Sequence, residues 1–149
     1  MIEIVFTSGP DGSGTVQRML NAFNDLHRGE IHVQWRQMSP ENDAHHRQLI
    51  DDMTSNVGGI DLVASDVVWT AELAKNRWVE DLTDRFYDAF ERDAFLATPL
   101  ESATYRLRIW GVPWYTDAGL LFYRKDKLAQ SGFTGPPRTW DELGEMARQ

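Results

Sequence analysis

Aspartates and tryptophans in two places are the residues of this sequence best suited to chemistry. Asp66 and Trp69 follow an apolar run, and Trp114, Tyr115 and Asp117 lie together further along. Flat aromatic faces can cover the C–H face of a pyranose ring, and carboxylates accept hydrogen bonds from its hydroxyls. Each residue also has a plainer use. Trp69 and Trp114 are stacking faces or core side chains. Asp66 is a ligand acceptor or the N-cap of the helix that follows it.

The loop from Ser8 to Gly14 joins a strand to a helix, where phosphate-binding loops occur. It has no GK[ST] ending and no G-x-G-x-x-G spacing, so it reads as a turn or as a ligand-facing loop with Asp11 as the polar contact. A nucleotide-binding α/β enzyme lobe using Gly9–Gly14 is the alternative reading. It lacks a basic residue in the loop and an acidic ribose contact at the required spacing. His45 and His46 are adjacent on a helix, about 100° apart, and cannot face one metal as an i, i+4 pair would. They are expected on solvated surface, as are Asp51 and Asp52. There is no Ser-His-Asp pattern and no G-x-S-x-G elbow. With no cysteine in the chain, thiolate chemistry and disulfides are excluded. The expectation is a binding protein without catalysis, cofactor or metal.

The elements that must carry these residues alternate. Ile2–Thr7 is a short strand. Val16, Met19, Leu20, Phe23 and Leu26 form one apolar helical stripe. Ile31–Gln37 alternates as a second strand, with Val33 and Trp35 directed inward. A turn at Ser39–Asn42 opens a second helix carried by Leu49, Ile50 and Met53, and Gly58-Gly59 stops it. Ile60–Ser65 is a third strand, apolar enough for burial on both faces. Trp69–Lys75 is a short helix. Val79, Leu82 and Phe86 continue a helical stretch, and Phe90–Leu96 suggests another. Arg108–Trp114 and Gly119–Arg124 read as extended. Thr139 and Glu142 form a capping box for a last helix, where Trp140 is expected to pack.

This βαβαβα order predicts an α/β fold: an open, mainly parallel sheet with helices on both faces and its first three strands parallel neighbours. Such sheets bind ligands beyond the carboxyl ends of their strands. The loops after strands one, two and three therefore matter most, and they carry Asp11, then Glu41 and Asn42, then Asp66.

The 149 residues carry 15 Lys plus Arg against 23 Asp plus Glu, a formal charge of -8. That balance argues against nucleic acid, which requires clustered cations. No apolar run reaches the ~18 residues of a membrane span. Trp140, Leu143 and Met146 leave an apolar face at the end of the sequence, so a fragment of a longer protein is expected. A regulator's sensor domain would need a helix-turn-helix, whereas this chain starts on a strand.

Three stretches resemble the family 1 extracellular solute-binding proteins of the maltose/trehalose type. Ile60–Ala74 with Trp78-Val79-Glu80-Asp81-Leu82 is similar to one family segment. Gly111–Asp126 resembles the segment that crosses the hinge, and Pro136-Pro137-Arg138-Thr139-Trp140-Asp141-Glu142-Leu143 resembles the "PPkTWdEL" signature. The resemblance runs from Ile2 to Gln149. Two positions depart from it: Ile60-Asp61 stands where "PD" is usual, and the usual glycine ahead of Gly111 is missing from a stretch that carries Arg106 and Arg108.

The resemblance implies a two-lobe receptor that captures a sugar, of di- or oligosaccharide size, for an ABC importer. Residues 1–114 would be the first lobe, and 115–149 the hinge crossing and start of the second. Asp66, Tyr115 and Asp117 would contact sugar, with Asp11, Glu41 and Asn42 on ligand-facing loops and Trp69 and Trp114 as stacking faces. The implied partners are the sugar and the importer's membrane subunits. The implied location is extracytoplasmic, with the membrane reached only through a lipid anchor on a removed leader.

Overall fold

The computed structural model describes residues 1–55 and 59–148; Gly58, expected to help stop the second helix, lies outside them. The chain separates into two compact units, Met1–Trp114 and Tyr115–Gln149.

The first unit is built on β1 (Ile2–Ser8), α1 (Thr15–Leu26), β2 (Ile31–Gln37), α2 (Asn42–Thr54) and β3 (Leu62–Val63). The sheet order is β2-β1-β3, and both pairings are parallel, as the alternation predicts. β1 and β2 pair along their whole length, from Ile2 opposite Ile31 to Ser8 opposite Gln37. The central strand ends buried, at Phe6, Thr7 and Ser8.

The two helices take opposite faces of the sheet. Phe6 and Trp35 are register partners and share a face. Phe6 lines an apolar hollow of about 190 Å³ with Val16, Met19 and Leu20 of α1, and with Leu62 and Trp114. The next residue along β2, Arg36, points the other way and pairs with Asp52 of α2. On that side Met38 and Leu49 pack with Trp69 and Leu73, and Ile50, Met53, Ile60, Val63, Trp78 and Val79 close around them.

Several expectations are corrected. β3 is two residues long rather than six, and Leu62 is exposed rather than buried. The neighbouring Asp61 uses its side chain for pairing: its Oδ2 accepts from the Val5 amide at 2.8 Å, and its own amide donates to the Val5 carbonyl at 3.0 Å. Trp35 is half-buried, and its Nε1 donates to Ser8 Oγ at 2.8 Å. The α1 stripe is only partly covered, with Met19, Phe23 and Leu26 exposed.

The rest of the first unit is short elements: α3 (Thr70–Lys75), α4 (Thr83–Ala89), α5 (Ala97–Ser102), β4 (Thr104–Tyr105) and β5 (Arg108–Ile109). Phe90–Leu96 is not a helix of its own but holds one 3-10 turn, Arg92–Ala94. Of the stretch expected to be extended from Arg108 to Trp114, only Arg108–Ile109 is strand. Phe86, Leu100 and Ile109 form a second small core, with Phe95 packed on it.

In the second unit, residues 119–124 form no strand. It contains α6 (Lys125–Gln130) and α7 (Trp140–Met146). The predicted capping box forms in part. Thr139 Oγ1 accepts from the Glu142 amide at 3.1 Å, while the Glu142 carboxylate reaches back to the Arg138 amide instead of that of Thr139. Trp140, expected to pack, is exposed.

The hairpin between β4 and β5 turns through Arg106 and Leu107, both left-handed at φ 50 and 63. Two-residue hairpin turns of this kind favour Asn-Gly, because a Cβ is crowded there. Leu107 is 94% exposed, so no packing offsets the strain. Leu107→Gly relieves roughly 1–2 kcal/mol of strain and loses about 0.4–1 kcal/mol to a freer unfolded chain. A net change between about zero and a gain of about 1.6 kcal/mol is expected in urea unfolding. A lower midpoint would remove strain from this account.

Candidate functional site

The carboxyl ends of β1, β2 and β3 emerge side by side, and the loop after each carries candidate residues. Two backbone bonds hold the loops at one level. The Met38 amide donates to the Ser8 carbonyl at 2.8 Å, and the Ala64 amide donates to the Thr7 carbonyl at 2.8 Å.

In the loop after β1, Asp11 turns toward its own helix. Its Oδ1 accepts from the Ser13 amide at 2.9 Å and from Ser13 Oγ at 2.6 Å. Its Oδ2 accepts from the Val16 amide in the first turn of α1 at 2.7 Å. The Ser13 hydroxyl and these amides stabilise the anion and hold the carboxyl at about 2, against an ordinary 3.8. Asp11 is thus a helix-capping carboxylate, and its expected role as a ligand contact is not what this geometry provides. The same observation disposes of the nucleotide-binding alternative. The helix N-terminus that would hold a phosphate is already filled by the chain's own anion.

The loop after β2 delivers Glu41 and Asn42. The Ser39 amide donates to Gln48 Oε1 at 2.9 Å, which fastens the turn to α2. Glu41 precedes the helix with an extended backbone, and its side chain is exposed and makes no cap bond. Asn42 begins α2 and donates from Nδ2 to Asp66 Oδ2 at 3.3 Å.

The loop after β3 carries Asp66, half-buried. Its Oδ1 accepts from the Val68 amide at 3.2 Å, so it caps the 3-10 turn Val67–Trp69. Both readings of this residue therefore describe it. One oxygen serves as a cap, and the other meets Asn42 with lone pairs to spare.

Trp69 is buried, packed with Met38, Leu49 and Leu73. The rings of His45 and His46 lie 5.2 and 5.1 Å from it. Its face is occupied by protein, so it belongs to the core rather than to a stacking surface. Trp114 is 49% exposed, with one edge meeting Phe6 at 5.9 Å. Tyr115 and Asp117, in the second unit, are exposed.

The histidine pair is the second correction. His46 is partly exposed and meets Glu72 Oε2 at 2.7 Å. His45 is buried, with its ring against Trp69. Its Nδ1 is also the nearest atom to the position a Cβ on Gly9 would take, at 3.9 Å. The signal was present in the sequence. His45, Leu49 and Met53 are spaced i, i+4, i+8, so His45 sits on the apolar face of α2. Among the described residues no group of three or more His, Asp or Glu side chains assembles that could hold a metal ion. No helix among them is long and apolar enough to cross a membrane.

Residues 7–149 match the bacterial extracellular solute-binding protein family. The chain belongs to that family. A probable ABC transporter-binding protein of Deinococcus radiodurans is 31% identical over 76% of this chain and 26% of that protein. The mannitol-binding protein of Pseudomonas aeruginosa is 26% identical over 89% of this chain and 30% of its own length. The chain thus spans about a quarter to a third of these relatives. Among solved structures, maltose-bound MalE3 of T. maritima superposes with a TM-score of 0.82 at 37% identity, over 99% of this chain and 37% of that one. Family membership and the parallel α/β architecture agree with the reading from sequence, and this is a family of binding proteins rather than enzymes.

The Asp11 cap generates a test. Its contribution to stability is complete above pH 3.8 and is lost as the pH falls toward about 2. Asp11→Asn should lower the melting point at neutral pH, and the gap from the parent chain should narrow across that acid window. Melting curves at stepped pH would measure it. A gap that stays constant down to pH ~2 would show that the anion does not stabilise the helix.

Proposed function

We propose that this chain supplies the first lobe of an extracytoplasmic receptor that captures a sugar, of di- or oligosaccharide size, for an ABC importer. Residues 1–114 form that lobe, and residues 115–149 begin the second. The observation that carries the reading is the meeting of Asp66 and Asn42, with Glu41 next to Asn42 in the chain, at the carboxyl ends of a parallel sheet in a chain of this family.

The chemistry follows from what each group offers. Asp66 and Glu41 accept hydrogen bonds and carry negative charge, and the Asn42 amide nitrogen is directed at Asp66. A ligand meeting this set must donate hydrogen bonds and must not be anionic. A polyhydroxylated neutral molecule satisfies both conditions. Trp114 adds an exposed aromatic face, and the family resemblance adds Tyr115 and Asp117 as further sugar contacts. The names of similar proteins support the ligand class: MalE3 of T. maritima is maltose-bound, and the P. aeruginosa relative is mannitol-binding. The partners on this reading are the sugar and the importer's membrane subunits, with a lipid anchor on a removed leader as the attachment to the membrane.

A thermal-shift screen of the complete receptor with maltose, mannitol and other mono- and disaccharides tests the class. A sugar present at about 100 times its Kd should add about 2.7 kcal/mol of stability. No shift with any of them would sink the reading. With the responding sugar, Asp66→Ala should weaken binding roughly tenfold to a hundredfold, because charge-assisted hydrogen bonds are lost. The lost cap should cost only about 1 kcal/mol in the melt without sugar. Full affinity with a lowered melt would make Asp66 a cap alone.

A further inference from the structure

His45 is a polar side chain in an apolar layer, directly beneath the three loops. It is 7% exposed, and its Nε2 is buried without a hydrogen-bond partner among the described residues. The ring lies edge-on to Trp69, and its Nδ1 is the nearest atom to the Cβ position of Gly9. Its backbone amide donates to the Glu41 carbonyl at 2.8 Å. The imidazole therefore adjoins the loop after β1 and the turn after β3, and its backbone closes the first turn of α2.

The charges that face it are few. From the turn after β3 comes Asp66, whose negative charge favours the imidazolium. From its own helix comes His46, whose charge opposes it and which is itself held by Glu72 of α3. Trp69 and the Gly9 backbone bring none. Asn42 lies one turn before His45 on the same helix, at i, i+3, and its amide meets the Asp66 carboxylate at 3.3 Å; a proton arriving on His45 thus creates a buried cation one turn from that pair.

We propose that His45 is a positioning residue that ties the candidate site to pH: its imidazolium draws the Asp66 carboxylate inward, so ligand is held at neutral pH and released in mild acid. The sugar-receptor reading supplies only the ligand, and the proton coupling stands on the residues above.

Burial pushes the His45 ring below its ordinary 6.5, with Asp66 partly opposing the shift. The neutral form, and with it an Asp66 carboxylate bonded only to Val68 and Asn42, is complete above pH 6.5 and is lost as the pH falls through the lowered value.

NMR of the chain follows the His45 ring and the Asp66 carboxyl carbon together as pH falls. His45 should titrate below 6.5, and the Asp66 signal should inflect at the same pH. That inflection should vanish in His45→Gln and in His45→Asn, a second variant in case one folds poorly. Asp66→Asn, which removes the favourable charge, should lower the His45 value further. In the complete receptor, maltose affinity should be about tenfold weaker in mild acid than at neutral pH, and His45→Gln should flatten that profile. A His45 that titrates at or above its ordinary value, or an Asp66 signal that passes through the His45 titration unmoved, overturns the proposal. An acid loss of maltose affinity that survives in His45→Gln overturns it as well. Maltose that binds at no pH counts against the sugar reading, and the NMR titration still decides the coupling.

Discussion

The packing of Trp69 against Met38, Leu49 and Leu73 is the interaction on which the site side of the first unit depends. A buried tryptophan removes about 150–250 Å² from water, worth roughly 4–6 kcal/mol at about 25 cal/mol per Å². The Asp66 cap three residues earlier is worth about 1 kcal/mol. The ring therefore fixes where the turn after β3 lies, and the cap only trims it. Met38 comes from the end of β2, Leu49 from α2 and Leu73 from α3. One side chain thus gathers the ends of two strands and the helix that carries Asn42. This is why Asn42 and Asp66, distant in sequence, come within hydrogen-bonding distance.

The same layer explains the pattern of polar burial. Thr7 Oγ1 and His45 Nε2 are both buried and unpaired among the described residues. Unpaired buried polar atoms each cost about 1–3 kcal/mol, so a fold seldom keeps them where an apolar side chain would serve. Thr7 is the penultimate residue of β1, and His45 lies in the first turn of α2. The layer gives up stability next to the candidate loops, while the apolar residues further down α2 recover it.

The sequence made the sheet legible because its signals were local and repeated. Alternation in Ile31–Gln37 and the helical period after Val16 specify strand and helix, and chain handedness then leaves parallel neighbours as the solution. β3 was misread in length for a reason that composition cannot show. Asp61 pairs through its carboxylate, so the ladder narrows to Leu62 and Val63. The hairpin of β4 and β5 was hidden because its turn uses Arg106 and Leu107, which carry no turn signal. Trp140 was expected to pack because it opens a capped helix, and a cap fixes where a helix begins without saying what covers it.

The candidate site was legible to the extent that position determines it. Loops just past the ends of parallel strands are where such sheets present ligands, and that position selects Asp11, Glu41, Asn42 and Asp66. Within that set, the geometry of the hydrogen bonds decides roles that spacing cannot. Asp11 and Asp66 are both aspartates after strands, and both cap a following helical turn. Asp11 commits both oxygens within its own loop and helix, to Ser13 and Val16. Asp66 gives one oxygen to Val68, and its other meets an amide that belongs to a different loop. A carboxylate satisfied entirely by its own segment gains nothing by meeting a ligand. One whose second oxygen is shared with a neighbouring loop can exchange that partner for a hydroxyl at little cost. The difference separates an aspartate committed to its own segment from one shared between two loops, and it rests on three-dimensional contacts that the two local sequences do not distinguish.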